Sequence, residues 1–193
     1  MPRQRARVLV PEDVRRLSAH VMHRRYPERD AVIILLSFNA GLRACEIAGL
    51  SWTMILESDG TIAELATISG AITKGKKPRS LPLSPALRTA LRRLHKAAGK
   101  PGDGPVVRSE RGGHMTSRSI VNWFAAVYAE LGFIGCSSHS GRRTFITRAA
   151  RLVSKTGGSL RDVQELAGHS ALTTTERYIE GDRDAQRRII RLI

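Results

Sequence analysis

Residues 137–145 read "SSHSGRRTF" and lead into an apolar face made by Phe145, Ile146, Ala149, Ala150 and Val153. This spacing predicts a helix over "HSGRRTFITRAARLV". His139 and Arg142 stand three residues apart, on the side of that helix shared with Ile146 and Ala149. A histidine and an arginine therefore lead into the buried face. Arginine is almost never buried unless paired, so the stretch poses a question: which negative group does Arg142 meet?

The bulk charge suggests a class of answer. The 193 residues are enough for one well-cored domain, and 41% hydrophobic with 25% charged residues is ordinary for a globular chain. The charge balance is not ordinary. Lys and Arg number 32 against 17 acids, a net charge of +15, with a pI near 11.2. Such a surface favours a polyanion, nucleic acid first. A membrane surface would need a basic amphipathic helix or a lipid signal, and no strong one is present. The longest apolar run, "AVIILLSF" (31–38), is too short to span a bilayer. The N-terminal "MPRQRARVLV" has no apolar signal core. Cys45 and Cys136 are the only cysteines, which gives no disulfide framework and no metal set. The expected setting is a reducing cytoplasm.

Outward from the central stretch, the chain reads as follows. Residues 1–10 form a basic arm with Arg3, Arg5 and Arg7 alternating. "PEDVRRLSAHVMHR" opens a helix at Pro11 with acids in its first turn. "DAVIILLSFNAG" is apolar nearly all round, a central buried helix ended near Gly41. A short helix, "RACEIAGL", follows. Residues 53–83 carry β-branched residues and turn signals at Asp59-Gly60 and around Gly75, which predicts a small antiparallel sheet of about three strands. Ser84-Pro85 caps a helix to about Lys96. Residues 97–105 read as a loop, and a helix capped near Thr116 or Ser117 runs to about Leu131. Ser159 with Asp162 caps another short helix before Gly168. His114 reads as a loop residue, and His20, His23 and His95 as surface helix positions. The expected fold is mainly α with a small antiparallel β-sheet (α+β).

"GHSALTTTERYIE" holds His169 and Tyr178 nine residues apart. On one unbroken helix that would be about 14 Å, too far for both to touch one small group. Thr173 and Glu176 form an S/T-x-x-E capping box, so a helix restarting there would bend the chain and let the two converge.

The chemistry-bearing set is Arg43, Lys74, His139, Arg142, His169 and Tyr178. Two arginines can clamp a phosphate through charge-assisted hydrogen bonds. Histidines donate hydrogen bonds or move protons near neutral pH. A lysine on a hairpin tip can protonate a leaving oxygen. A tyrosine hydroxyl can act as a nucleophile if cationic neighbours help it ionise. No acidic pair or His/Cys cluster offers a metal site. Taken singly, each residue has a plain reading: Arg43 as a surface arginine, Lys74 as a solvated hairpin tip competing with Lys76 and Lys77, His139 as a helix cap, His169 as a loop residue, Tyr178 as a half-buried core tyrosine.

Together, "GLRACEIAGLSW", "TKGKKPRSLPLS", "HSGRRTF" and "LAGHSALTTTERYI" resemble the ordered signature of the tyrosine recombinase (phage integrase) family over roughly residues 8–180. The resemblance implies a mostly α catalytic domain with a small sheet. It implies DNA strand cleavage and rejoining through a 3′-phosphotyrosyl bond, with no cofactor, metal or ATP. By position, Arg43 matches the first clamp arginine and Glu46 its supporting acid. Lys74 matches the lysine that protonates the 5′-oxygen, His139 the acceptor of the tyrosine proton, and Arg142 the second clamp arginine. His169 matches the histidine that hydrogen-bonds the phosphate, and Tyr178 the nucleophile. On this reading Arg142 meets a scissile DNA phosphate. Arg3, Arg5, Arg7, Lys76, Lys77 and Arg143 are the expected further DNA contacts.

The common pattern H-x-L-R-H carries Gly141 here in place of leucine and Arg143 in place of the second histidine; activity is expected to survive both. The expected organisation is a basic arm (1–10), a catalytic domain (11–180) and a tail helix (181–193). The family's N-terminal core-binding domain is expected to be absent, as in a trimmed chain or a minimal member such as the fimbrial-type phase-switch invertases. The tail's Ala185, Ile189, Leu192 and Ile193 share one helical face, expected to exchange between protomers in a tetramer on paired DNA sites, with monomers free in solution. The expected partner is double-stranded DNA, in a bacterial or phage setting, cytoplasmic and nucleoid-associated. The competing functions are type IB topoisomerase-like relaxation and a catalytically silent DNA-binding regulator. A helix-turn-helix regulator would explain the charge but not Lys74, the sheet or Tyr178.

Overall fold

The computed structural model describes residues 6–178 and 190–191. Its elements run α1 Pro11–Val21, α2 Pro27–Phe38, α3 Ala44–Gly49, β1 Leu65–Ile68, β2 Arg79–Pro82, α4 Pro85–Ala97, α5 Ser117–Glu130, α6 Ser140–Leu152, α7 Leu160–Ala167 and α8 Leu172–Glu176. This is the mainly helical α+β fold expected from the sequence. Single 3₁₀ turns stand at Trp52–Met54, Gly70–Ile72 and Val153–Thr156. Among the described residues no helix is long and apolar enough to cross a membrane.

Helix α2 is the hub. Val32, Ile33, Ile34, Leu36 and Phe38 are all buried, on every side of the helix. It packs against α1, α3, α4 and α6. Burying five such side chains contributes roughly 7–15 kcal/mol of transfer free energy, an upper figure because the unfolded chain is itself partly compact. Pro27 sits in the first turn with Glu28 and Asp30, and buried Asp30 is held by Arg29 at 2.8 Å and Arg24 at 3.5 Å.

Helix α6 crosses α2 at close range. A Cβ built on Gly141 would lie 2.2 Å from Ser37 Oγ and 2.9 Å from Phe38 Cδ2. A side chain at this position would run into those of Ser37 and Phe38, so the close packing of α6 on α2 requires glycine here. The other side of α6 covers a second, smaller core of Ile146, Val163 and Ala167, flanked by Phe145, Ala149, Ala150, Val153, Leu160 and Tyr178. The apolar face read from the sequence thus joins α6 to α7 and to the turn that carries Tyr178.

The sheet has two strands rather than about three. β1 and β2 pair antiparallel, Leu65 with Pro82 through Ile68 with Arg79. The earlier segment makes only the isolated bridge Leu56–Ile62, around a turn closed by Asp59, which accepts from Thr61 N and Oγ1. Trp52 and Ile55 are both buried, and a three-residue spacing asks for a 3₁₀ turn, not an alternating strand. His95, expected on the surface, is buried: its ring lies against Trp52, centroids 4.7 Å apart and planes tilted by 45°, and it bonds the Pro101 carbonyl. The other helix ends follow their caps. Ser84 accepts from Leu87 N, Thr116 from Ser119 N, and the Ser159–Asp162 box is formed.

Candidate active site

Arg142 lies in the first turn of α6 with 3% exposure. Its Nη1 donates to the Gly41 carbonyl and its Nη2 to the Ala167 carbonyl, both at 2.6 Å. The side chain therefore ties the turn after α2 to the last turn of α7. Both acceptors are neutral. Burial, and then the charge of Arg43, lower its pKa to about 10, so it stays charged at neutral pH. Three of its five N–H donors remain beyond these two bonds.

Arg43 caps α3. Its backbone N–H donates to Glu46 Oε2 at 2.8 Å, and its Nη1 to Glu46 Oε1 at 3.2 Å. Glu46 is fully buried and receives a second arginine, Arg79 of β2, through Nη1 to Oε1 at 2.8 Å and Nη2 to Oε2 at 3.2 Å. Burial pushes the Glu46 carboxyl up, but the hydrogen bonds and charge of Arg79, then of Arg43, hold it below the usual carboxylate range. Arg43 and Arg79 thus bond one carboxylate whose charge Arg142 also feels, and three guanidinium groups against that one carboxylate leave two positive charges in excess.

His169 follows the α7 C-cap, Gly168, which takes a left-handed φ of 61° and turns the chain. Its N–H bonds the Gln164 carbonyl, its own carbonyl accepts from Gln164 Nε2, and its Nδ1 meets Thr175 Oγ1 at 2.9 Å. Burial, then the charges of Arg142, Arg43 and Arg79, lower its pKa to about 4. The ring is neutral at pH 7, with Nε2 left for a ligand.

The chain does bend as expected between His169 and Tyr178, though by another device. The Thr173–Glu176 capping box is not formed. Helix α8 begins two residues earlier, at Leu172 after an extended Ala171, and ends at Glu176. Thr175 points inward to His169 instead, because its buried hydroxyl has a partner there. The Tyr178 ring then stacks on His169 with centroids 5.6 Å apart and planes 25° apart. Tyr178 is half-buried, its N–H bonded to the Thr175 carbonyl and its carbonyl accepting from Thr147 Oγ1.

Four of the six sequence-derived residues, Arg43, Arg142, His169 and Tyr178, therefore converge with Glu46. His139 is exposed at the α6 N-cap, one turn before Arg142. Lys74, Lys76 and Lys77 lie exposed on the loop between the Gly70–Ile72 turn and β2. Among the described residues, Lys74 makes no hydrogen bond or ion pair with the converging set. Arg143 is half-buried beside Arg142. Arg7 pairs with Asp13 at 2.5 Å and lies over the Phe133 ring. Arg3, Arg5 and the tail from Ile179 through Ile189 lie outside the described residues.

Two contributors escaped the sequence reading. Arg79 hides in the cationic run "KKPRS", but strand alternation places it on the face of buried Leu81, and that parity was the available signal. Thr175 is the last of three consecutive threonines, and nothing local separates it from the other two.

The profile of the phage integrase family matches residues 7–184. The chain belongs to this family. Similar curated proteins include the tyrosine recombinase XerC of Pelobacter propionicus, 32% identical over 155 residues, covering 79% of this chain and 48% of that protein. XerC of Brucella suis is 32% identical over 157 residues, covering 78% and 45%. The chain spans about half the length of the curated relatives it matches. Among solved structures, the Tn1549 transposon integrase in complex with a circular intermediate DNA aligns with a TM-score of 0.79 at 19% identity, covering 100% of this chain and 67% of that one. The integrase of mycobacterium phage Brujita aligns at 0.64 and 29%, covering 93% and 55%. The likeness to the Tn1549 protein carries the fold alone.

Proposed function

We propose that this chain is the catalytic domain of a site-specific DNA recombinase that cleaves and rejoins strands through a 3′-phosphotyrosyl intermediate. The supporting observation is the excess of positive charge beside Tyr178: Arg43 and Arg79 share the one buried carboxylate of Glu46, buried Arg142 bonds only neutral carbonyls, and a neutral imidazole stacks on the phenol. That set suits a phosphodiester, whose charge grows as phosphorus becomes five-coordinate.

In the proposed reaction the Tyr178 hydroxyl oxygen attacks the scissile phosphorus and the bond to the 5′-oxygen breaks. The tyrosine proton passes to His139, and Lys74 protonates the departing 5′-oxygen. Arg43 and Arg142 hold the non-bridging oxygens, and His169 donates from Nε2. Attack by a 5′-hydroxyl on the phosphotyrosine reverses the step and joins a strand. Lys74 reaches the phosphate from its exposed loop when DNA is bound. Arg3, Arg5, Arg7, Lys76, Lys77 and Arg143 supply backbone contacts that fall off with salt. Four protomers assemble on paired sites and exchange the tail, residues 181–193, in the cytoplasm of a bacterial host.

The test is covalent trapping on a pool of nicked duplexes of random sequence. The wild-type chain should retain DNA after denaturation, and Tyr178→Phe should not, while binding DNA nearly as well. An adduct of normal yield from Tyr178→Phe would refute the assignment. Relaxation of single-site supercoils without two-site joining would make the protein a topoisomerase instead.

A further inference from the structure

Arg79 takes part in no step of that mechanism, yet it is built into the centre of the site. It bonds both oxygens of the fully buried Glu46 carboxylate. Arg43 reaches only one of those oxygens with its side chain, at the longer distance of 3.2 Å. The Arg79 guanidinium also lies directly under the turn that carries His169: a Cβ on Gly168 would stand 2.8 Å from its Nη1 and 3.1 Å from its Cζ. Its Nε is buried with no hydrogen-bond partner among the described residues. Arg79 belongs to β2, so the strand that follows the Lys74 loop is pinned by one side chain to α3 and to the end of α7.

The charges explain why a second arginine is needed. A buried carboxylate next to a single arginine draws that arginine into a two-pronged pair. Here Arg79 occupies the two-pronged position. Arg43 is left with one side-chain bond to Glu46 and most of its N–H donors unused.

We propose that Arg79 is a positioning residue whose task is to satisfy Glu46, so that Arg43 stays turned toward the phosphate. This rests on the reading of the site as a phosphotyrosyl-forming centre. Arg79 itself does not touch the substrate. Without it, Glu46 would capture Arg43, and the clamp would lose donors at the transition state while DNA affinity, set by many other cations, would change little.

The experiment is a double-mutant cycle in the full chain, with Arg79→Met, Glu46→Gln and the pair together. Methionine keeps bulk beneath Gly168 but removes charge and donors. The readouts are the single-turnover rate of covalent adduct formation and the DNA dissociation constant. Arg79→Met should slow adduct formation about 10²-fold, the usual cost of a lost transition-state donor, with the dissociation constant within about threefold. In the Glu46→Gln background the same substitution should cost less than about threefold, because no buried charge remains to capture Arg43. Equal losses in both backgrounds would overturn the proposal, and so would a loss confined to affinity. If Arg79→Met alone fails to fold, the comparison within the Glu46→Gln background decides: a loss above about tenfold there refutes the role. A wild-type chain that forms no adduct would refute the reading of the site instead, which keeps the two failures apart.

Discussion

Arg142→Lys separates the structural and chemical roles of the most buried cation in the site. Arg142 meets two carbonyls with two different nitrogens, at 2.6 Å each. A lysine ammonium is one nitrogen on a flexible stem and does not reproduce that planar fork. One charge-assisted bond is lost, worth about 1.5–3 kcal/mol, and either the Gly41 or the Ala167 carbonyl is left buried without it. For a chain of this size each kcal/mol shifts the melting temperature by about 2–4 °C, so the drop should be about 3–12 °C. The rate should suffer more. Of five N–H donors, three lie beyond the carbonyl bonds, and an ammonium has three in all. Losing a preorganised phosphate donor should slow adduct formation by about 10²–10³-fold. Thermal unfolding, single-turnover trapping and DNA titration on the same preparation measure all three quantities. The reasoning fails if Arg142→Lys melts with the wild type, or if its affinity for DNA falls as far as its rate.

Three further outcomes follow from the same geometry. Thr175→Val removes the hydroxyl that meets His169 Nδ1, a bond worth about 1.5 kcal/mol or tenfold in rate; Thr175→Ser should keep the wild-type rate, and a valine variant as fast as serine would remove Thr175 from the site. His169 is held at about 4, below its ordinary value of 6.5. The unfolded chain therefore takes up a proton before the folded one does, and this contribution is full above about pH 6.5 and lost as the pH falls toward 4, by at most roughly 3 kcal/mol. Denaturant midpoints should fall less on acidification in His169→Gln than in wild type, and parallel curves would contradict the shift. Gly141→Ala places a Cβ against Ser37 and Phe38 and should cost about 1–3 kcal/mol in denaturant unfolding; an unchanged midpoint would mean that α6 moves away from α2 at no cost.

Much of this architecture is legible in the chain because its signals are local. The nearly all-apolar "AVIILLSF" reads as a central helix that stops near Gly41, and Ser84, Thr116 and Ser159 announce their helices through caps that the structure forms. Arg142 is legible as a buried cation because its face is shared with Ile146. The misses have a common cause, which is partners distant in sequence. Nothing near Thr175 sets it apart from Thr173 and Thr174 as the threonine whose hydroxyl meets His169 across the bend. Nothing near Arg79 names Glu46, 33 residues earlier, as its partner. His95 continues the buried stripe of Leu87 and Leu91 at a spacing of four, and Trp52 supplies its ring contact from another element. The third strand failed because two buried residues at a spacing of three outweighed β-propensity. Arg142 itself was expected to find only an anion; two backbone carbonyls share it.

The central claim is that Tyr178 forms the covalent bond to DNA, and peptide mapping of the trapped adduct tests it most directly. The chain has three tyrosines, Tyr26, Tyr128 and Tyr178. Trypsin cleaves after Arg177 and Arg183, which isolates Tyr178 in the fragment "YIEGDR". After nuclease trimming, the mass of a 3′-phosphonucleotide should appear on that fragment and on no other. The same mass on the peptide of Tyr26 or Tyr128, or on any serine, would contradict the account.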